Sequence, residues 1–430
     1  MTIRLSCLIA LALSFGAIAG SEEQAVKIMG RGVGSFAYYQ WFENCLAKLE
    51  EDLPKTIESA QAAAKKFVLE DYRIAIMGQV SFIVEAHGRA GGLMRIGDFY
   101  DEDIPGAKYI ILYAIREEKL EQELRRIGQL RRQGNMVIVF TSSSLLIKAP
   151  MPIPKFDYLI ENHAAPNGGL SQTANGEWMI ATDPLANVSA LWLWTGEFIS
   201  ACINLGKMPT VWQSIRVPGA LPRNAKIKGK KFDSSYLQTK VEPGQFAKEY
   251  LFKLRNNLKQ IYEDEMDNIR AVGDMASDVS RRGGKLYTFV HNHLLIHRQN
   301  CPGDPGYFEK INKGWFRKRN EVKLTSRDLV FCVGYDRLYR GEGFGEFTAE
   351  AREAGTALVW CITDYYEKEI EAVEPGEILI NQHWSFGDAV VPVPGCDVNI
   401  LPTSGVLSEL IYWMTNAEIL QRSSRQRSDE

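Results

Sequence analysis

Three features are scarce in this chain: an excess of charge of one sign, a metal-type cysteine spacing, and long apolar runs beyond the N-terminus. The 50 Lys and Arg against 53 Asp and Glu give a net charge of −3, so the chain lacks the basic surface that nucleic-acid binding requires. No CxxC pair or Cys/His cluster has the spacing of a zinc site. No segment after residue 19 reaches the roughly 18 apolar residues of a membrane helix. We therefore expect no nucleic-acid partner, no membrane association after removal of the leader, no metal and no cofactor.

The first 19 residues have the composition of an export signal. Arg4 supplies the positive start, residues 5–19 form an apolar stretch too short to span a bilayer, and Ala17 and Ala19 are the small residues that a signal peptidase reads. We expect a cleaved signal peptide over residues 1–19 and a periplasmic or secreted mature chain. A buried N-terminal helix or an uncleaved anchor is the alternative. The cysteines after Cys7 are not assigned to pairs, because several lie in apolar segments where a free thiol behaves as a small buried hydrophobe.

A pattern recurs in the two halves of the chain. Asn162-His163 in the first half and Gln382-His383 in the second each follow a short apolar strand, and each is trailed by a proline-initiated apolar helix with nearly the same spacing. This register predicts an internal duplication. Two copies of one domain commonly pack about a pseudo-twofold axis, with a ligand pocket where they meet.

Apolar strands alternate with amphipathic helices through both halves, which is typical of α/β domains whose parallel sheets are covered on both faces. We predict a first domain over residues 20–215, a linker rich in Pro, Gly, Lys and Ser over 216–244, a second domain over 245–420 and a polar tail over 421–430. Ligands of such sheets bind beyond the carboxyl ends of the strands. Four histidines directly follow predicted strands and are candidate ligand-binding residues: His163, His291, His293 and His383.

Several short motifs resemble those of the sugar isomerase (SIS) phosphosugar-binding domain. They are Gly78-Gln-Val-Ser81, Arg89-Ala-Gly-Gly-Leu93, Gly387-Asp388-Ala and Leu401-Pro-Thr-Ser-Gly. The resemblance implies two tandem flavodoxin-like three-layer domains, a sugar or sugar phosphate as the small-molecule partner, and aldose–ketose isomerisation as the activity; a homodimer is a further expectation. It also implies ligand contacts from six residues, namely Gly78, Gln79, Ser81, Asp388, Thr403 and Ser404. Hydroxyls and backbone N–H groups at a helix start suit phosphate or sugar oxygens, although Thr403 or Ser404 alone would also serve as an ordinary N-cap.

The chain departs from the family at the phosphate loop, where SIS domains carry serines and threonines. Glu117 and Glu118 stand at that place in the first half and would repel a phosphate, whereas Arg337 in the second half would attract one. The first half is therefore the weaker candidate for phosphate binding. Because phosphosugars are chiefly cytoplasmic, export favours an unphosphorylated sugar. A non-catalytic binding protein with degenerate loops is the alternative to an isomerase.

Isomerisation needs a base whose pKa lies near neutrality. If the chain is catalytic, we predict His383 for ring opening or acid–base work, with Glu409 or Glu85 as the carboxylate. Both glutamates lie on predicted helices, where an ordinary exposed carboxylate is the competing interpretation. A weaker alternative is a metal-dependent hydrolase that uses His291 and His293. Trp192, Trp194 and Trp413 are predicted as core residues rather than sugar platforms.

Overall fold

The computed structural model describes residues 34–98, 106–173, 175–236, 239–290, 301–313, 318–319, 322–335, 344–363 and 373–429. The elements of the first half are, in chain order, α1 (Ser35–Glu51), α2 (Leu53–Leu69), β1 (Arg73–Gly78), α3 (Val80–Ala86), β2 (Ile96–Asp98), β3 (Tyr109–Ala114), a 3-10 turn (Glu117–Lys119), α4 (Leu120–Arg132), β4 (Met136–Thr141), α5 (Ser143–Ile147), β5 (Tyr158–Glu161), β6 (Gly169–Gln172), β7 (Trp178–Ala181) and α6 (Asp183–Asn204).

The remaining elements are α7 (Ala220–Ile227), α8 (Gln245–Gln260), a π-helical turn (Ile261–Glu265), α9 (Met266–Arg281), β8 (Leu286–Val290), β9 (Glu309–Lys310), β10 (Asn312–Lys313), β11 (Lys318–Arg319), β12 (Leu329–Val333), α10 (Phe344–Glu353), β13 (Ala357–Ile362), β14 (Ile378–Asn381), β15 (Ala389–Pro392), β16 (Asn399–Pro402) and α11 (Ser404–Asp429).

Two five-stranded sheets form the frame of the molecule, and all neighbouring strands within each are parallel. The first has the order β2-β1-β3-β4-β5 and the second β9-β8-β12-β13-β14. Numbered along its own half, each sheet has the flavodoxin-like order 2-1-3-4-5. The predicted fold class, two tandem α/β domains with parallel sheets, is confirmed. The shared strand order agrees with internal duplication, which stays a prediction.

Side chains alternate between the two faces of each sheet, and helices cover both faces, so that each domain has three layers. Ile110 and Leu112 of β3 face a large core that contains strand and helix residues of both halves, whereas Ile111 and Tyr113 face α4 and a smaller outer core. Successive side chains of a strand point to opposite faces of its sheet, so a fully apolar strand covers two cores. In the second half, β8, β12 and β13 contribute in the same way to a third core against α10.

Helices α6 and α11 lie at the centre of the large core. In α6 every residue from Pro184 to Ile203 is buried, as a helix that is apolar on all sides requires. Trp192, Trp194 and Trp413 are among the largest fully buried side chains, which confirms their prediction as core residues. No helix among the described residues is long and apolar enough to cross a membrane.

Three local features differ from the sequence prediction. Pro402 ends strand β16 and does not begin the last helix, which starts at Ser404 after an unpredicted hairpin of β15 and β16. A matching hairpin of β6 and β7 precedes α6. The segment 216–244, predicted as a linker, contains α7, and Ala220 and Ile227 of that helix are buried. The limits of the domains themselves stay predictions.

Candidate functional site

A strand-end cleft lies in the first half, beyond β1 and β3. Strand order reverses between these two strands, which is the place where flavodoxin-like sheets bind ligands. Gly78 ends β1 with a φ of +95°, and a Cβ at this position would overlap the carbonyl oxygen of Ala114 on β3. Only glycine permits this close pairing. The turn that follows places Gln79 and Ser81 at the strand ends, as the sequence predicted.

The cleft has a volume of about 430 Å³, within the roughly 300–1,000 Å³ of small-molecule sites. We call it the switch-point cleft. Its walls are the turn after β1, the segment after β3, the first half's hairpin, the start of α6, and a short segment that the second half contributes. The lining residues are Gln79, Val80, Ser81, Arg116, Glu117, Glu118, Asn167, Gly168, Trp178, Asp183, Cys301, Pro302 and Gly303.

Gln79 is held in one orientation. Its amide nitrogen donates to the Asp183 carboxylate, and its amide oxygen accepts from Asn187 Nδ2 at 3.0 Å. Asn187 in turn accepts from Asn162 Nδ2 at 2.9 Å, so the turn after β5 supports the floor of the cleft. This chain of amides fixes the polar groups before any ligand arrives.

Ser81 differs from Gln79 because its hydroxyl has no hydrogen-bond partner among the described residues. The residue is 1% exposed and lines the switch-point cleft. A buried hydroxyl without a partner forfeits a hydrogen bond that it makes in water. A ligand oxygen or nitrogen in the cleft would supply that bond.

Charges in the cleft are mainly negative. In the part of the lining that the structure describes, three carboxylates (Glu117, Glu118 and Asp183) stand against one guanidinium, that of Arg116. Arg116 is already bound to the buried carboxylate of Glu123. Burial lowers the pKa of Arg116, but its hydrogen bond and ion pair with Glu123 outweigh this and raise the pKa overall. Lys148 lies outside the lining and forms an ion pair with Glu117 at 2.9 Å.

Five residues of the predicted site meet away from the switch-point cleft, in a buried ionic cluster at the contact between the two halves. They are Glu85, Asp388, Thr403, Ser404 and Glu409. The centre of this cluster is Arg89, which is 2% exposed. The guanidinium contacts Glu85 at 3.3 Å and Asp388 at 2.9 Å, and it donates to Ser404 Oγ and, at 3.2 Å, to the hydroxyl of Tyr335. Asp388 also accepts from Ser404 N at 2.9 Å, so this carboxylate caps the last helix.

The predicted acids Glu85 and Glu409 are both fully buried, in contrast to the competing interpretation of exposed carboxylates. Burial raises the pKa of Glu85 to about 7; Asp388 and Glu409 add to the rise, and Arg89 opposes it. The carboxylate lies so close to Gly405 that a Cβ there would overlap it. Glu409 accepts from Trp413 Nε1 at 3.1 Å. Thr403 is buried nearby, and its hydroxyl has no hydrogen-bond partner among the described residues.

His163 and His383 occupy matching places in the two halves and do not line the switch-point cleft. Each follows the last strand of its sheet with a positive φ, +57° and +55°. His163 Nε2 lies 2.9 Å from the Asp52 carboxylate, and His383 Nε2 lies 3.3 Å from that of Glu265. Both carboxylates belong to junctions between paired helices, so each imidazole ties a strand end to a helix pair.

The remaining predicted residues, His291, His293 and Arg337, lie outside the described residues. Among the described residues, no group of three or more His, Cys, Asp or Glu could hold a metal ion. A larger groove of about 690 Å³ runs along the outer face of α4 beside Pro154. It lies on a helix flank rather than at the ends of the strands, and its position does not match the ligand site of this fold class.

Sequence reasoning missed Trp178, Asp183 and Cys301 as cleft residues. Trp178 begins β7 of the unpredicted hairpin, Asp183 begins α6, and Cys301 reaches the cleft from the other half. The sequence predicted Arg89 only as part of a motif. Its spacing of four residues from Glu85 was the signal for an ion pair. The carboxylates Glu117 and Glu118 were recognised as departures from a phosphate loop.

The chain is similar to solved structures of sugar-handling proteins at low sequence identity. One is a proposed sugar-binding protein from Salmonella typhimurium LT2, with 11% identity, a TM-score of 0.45, and coverage of 89% of this chain and 99% of that one. Another is tagatose-6-phosphate ketose/aldose isomerase from Escherichia coli, with 10% identity, a TM-score of 0.43, and coverage of 89% and 93%.

A third is the C-terminal domain of glucosamine-fructose-6-phosphate aminotransferase from Francisella tularensis, with 9% identity, a TM-score of 0.42, and coverage of 89% and 96%. These scores are below 0.5, and the fold assignment rests on the strand orders of the two sheets. No protein-family model and no curated protein sequence matches the chain.

Proposed function

We propose that this protein binds a carbohydrate in the switch-point cleft of its first half. The observation that carries the proposal is the buried hydroxyl of Ser81, which has no partner in the described part of the chain and lies beside the fixed amide of Gln79 in a cleft of small-molecule size. Sugar hydroxyls both donate and accept hydrogen bonds, and they match a mixture of amide, hydroxyl and carboxylate groups. The half-buried indole of Trp178 and the exposed side chain of Val80 offer apolar surface for the ring face.

The SIS-like motifs around Gly78–Ser81 and Asp388–Ser404 support the same ligand class. Residues 1–19 support export, and the matching strand orders support descent from a duplicated domain. An exported chain would meet sugars outside the cytoplasm, where phosphosugars are scarce.

Aldose–ketose isomerisation is the second candidate, and one observation favours it. The pKa of Glu85, raised by burial to about 7, suits a general base at neutral pH. Glu85 is nevertheless 0% exposed and bound to Arg89, so a substrate would reach it only after the two halves separate at the ionic cluster. Binding without turnover is therefore the function that the geometry supports best.

Ser81→Ala tests the proposal with little risk to the fold, because the hydroxyl has no protein partner among the described residues. We expect unchanged unfolding and about three- to tenfold weaker sugar binding in calorimetry, the effect of one neutral hydrogen bond. Ser277→Ala is the matched control, since its hydroxyl is also buried and without a partner in the described structure, but lies in α9. Equal affinities of the two variants, or no binding of any sugar by the wild type, would contradict the proposal.

A further inference from the structure

We infer that the switch-point cleft selects an unphosphorylated amino sugar, whose ammonium group is bound by the carboxylates of Glu118 and Asp183. The inference rests on the proposed carbohydrate binding and specifies the class of sugar. Two observations carry it: the charge of the lining, which includes the lack of phosphate-binding groups after β3, and the hydroxyl of Ser81, which has no partner among the described residues.

The charge of the lining disfavours phosphate. Among the described lining residues, three carboxylates face the cleft, and one guanidinium, that of Arg116, is bound to buried Glu123. A phosphate brought between them would face like charges at short range, and such juxtapositions discriminate strongly against a ligand. The loop after β3 provides Arg116, Glu117 and Glu118, with no hydroxyl to hold phosphate oxygens.

The same lining favours an ammonium group. An ammonium has three N–H donors and no acceptor, and an ionised carboxylate offers only acceptors. Hydrogen bonds in which both partners are charged are roughly twice as strong as neutral ones. Asp183 is half-buried at the start of α6 and fixed by Gln79, whereas Glu118 is an exposed lining residue of the segment after β3. A cationic ring substituent between them would join two walls of the cleft.

Ser81 adds a requirement that charge alone does not explain. Its buried hydroxyl lies in the cleft lining without a partner among the described residues, so the ligand also presents a neutral donor or acceptor. A sugar that carries one amine and several hydroxyls meets both requirements. A simple metal cation or an alkylamine meets only the first.

The test is calorimetry with the mature protein, residues 20–430, and four probes: glucosamine, glucose, N-acetylglucosamine and glucosamine 6-phosphate. The titrations are run at about pH 6, where the amine is protonated. We expect glucosamine to bind at least about tenfold more tightly than glucose or N-acetylglucosamine, and the phosphorylated probe to bind more weakly than glucosamine. Glu118→Gln should reduce the preference for glucosamine over glucose to about threefold or less. Glu121→Gln, an exposed carboxylate of α4 that does not line the cleft, should leave the preference unchanged.

The outcomes separate the inference from the proposed function. Equal binding of glucose and glucosamine, tightest binding of the phosphorylated probe, or an unchanged preference in Glu118→Gln would overturn the amino-sugar inference while carbohydrate binding stands. Failure of all four probes and of a wider panel of neutral sugars to bind would overturn both.

Discussion

At the scale of single residues, the buried ionic cluster is the most constrained part of this protein. Arg89 forms ion pairs with two carboxylates, those of Glu85 and Asp388, that come from different halves of the chain. Removing one member of such a buried group is strongly destabilising, because the remaining charge loses its partner. The cluster therefore restrains how the halves pack, whatever ligand the protein binds.

The raised pKa of Glu85 predicts a specific dependence of stability on pH. Its pKa is about 7 in the folded state and near 4.5 in the unfolded state. Between about pH 4.5 and pH 7 the folded state therefore binds more protons than the unfolded state. The contribution of Glu85 to the unfolding free energy is fully present below about pH 4.5 and is lost as the pH rises through about 7. Glu85→Gln removes that loss. We expect its unfolding free energy, relative to wild type, to rise by on the order of 1–3 kcal/mol between about pH 5 and pH 8.

Denaturant unfolding at both pH values measures this difference. Glu121→Gln is the control, since it removes an exposed carboxylate and should give a difference that does not change with pH. Other buried acids, such as Glu197, contribute to both wild type and variant and cancel. A Glu85→Gln difference that is the same at both pH values would contradict the raised pKa.

Several members of this cluster could be identified from the sequence, but their environment could not. The motifs singled out Asp388, Thr403 and Ser404 because their residue types suit a sugar or phosphate site, and Glu85 was predicted as a catalytic carboxylate. Their burial depends on contacts between the two halves, such as the hydrogen bond that Arg89, just after α3, donates to Asp388, 299 positions away in the chain. Periodicity within one helix reports which residues share a face, and it does not report what covers that face.

At the scale of secondary-structure elements, one glycine turn determines how closely the halves approach. Gly91 has a φ of +76°, and a Cβ there would lie 2.6 Å from Ala389 Cβ and 2.7 Å from Leu401 N. Its carbonyl oxygen accepts from Leu401 N at 3.1 Å. The backbone of the first half thus contacts the hairpin of the second directly.

Gly91→Ala should therefore destabilise the fold through two effects, the positive φ and the clash with backbone atoms. We expect a loss of about 2–4 kcal/mol in unfolding free energy. Gly88→Ala separates the effects, because Gly88 has a φ of +66° with no atom within 4 Å of an added Cβ. It should lose only about 1 kcal/mol. Equal losses of unfolding free energy in the two variants, measured by denaturant unfolding, would show that the clash with the second half does not contribute to the destabilisation.

The alternation of strands and helices was readable from the sequence because it depends on local periodicity, but alternation alone does not fix the order of the strands within each sheet. The hairpins before α6 and α11 were not readable. Their four-residue strands are shorter than a pattern of alternation needs, and Pro402 at the end of β16 resembles a helix start.

At the scale of the whole molecule, the two domains share one core rather than standing apart. Residues of α1, α2, α6, α8, α9 and α11 belong to the same buried cluster. The first helix also bonds the last, through Ser35 N and Glu418 Oε1 at 2.8 Å. The sequence indicated two units of similar order, but its periodicity carries no information about which faces of those units meet.

The same interlocking brings part of the second half into the ligand site of the first. Gly303 accepts from Ile180 N at 2.7 Å, and a Cβ on Gly303 would lie 3.1 Å from that of Ala181. This contact seats Cys301 and Pro302 in the wall of the switch-point cleft. Ligand affinity should accordingly depend on both halves, although Gln79, Ser81 and Glu118 all belong to the first.

The reactivity of Cys301 measures whether a bound sugar contacts the part of the cleft that the second half contributes. Among the described cysteines, Cys301 and Cys396 are half-buried and the others are buried, and Cys396 does not line the cleft. The tightest-binding sugar of the calorimetric panel, at ten times its dissociation constant, should slow alkylation of Cys301 about tenfold by mass action. Cys396, followed by mass spectrometry in the same sample, should react at an unchanged rate. Protection of neither thiol would place the ligand elsewhere, and equal protection of both would indicate a general tightening of the fold instead of a sugar seated between the two halves.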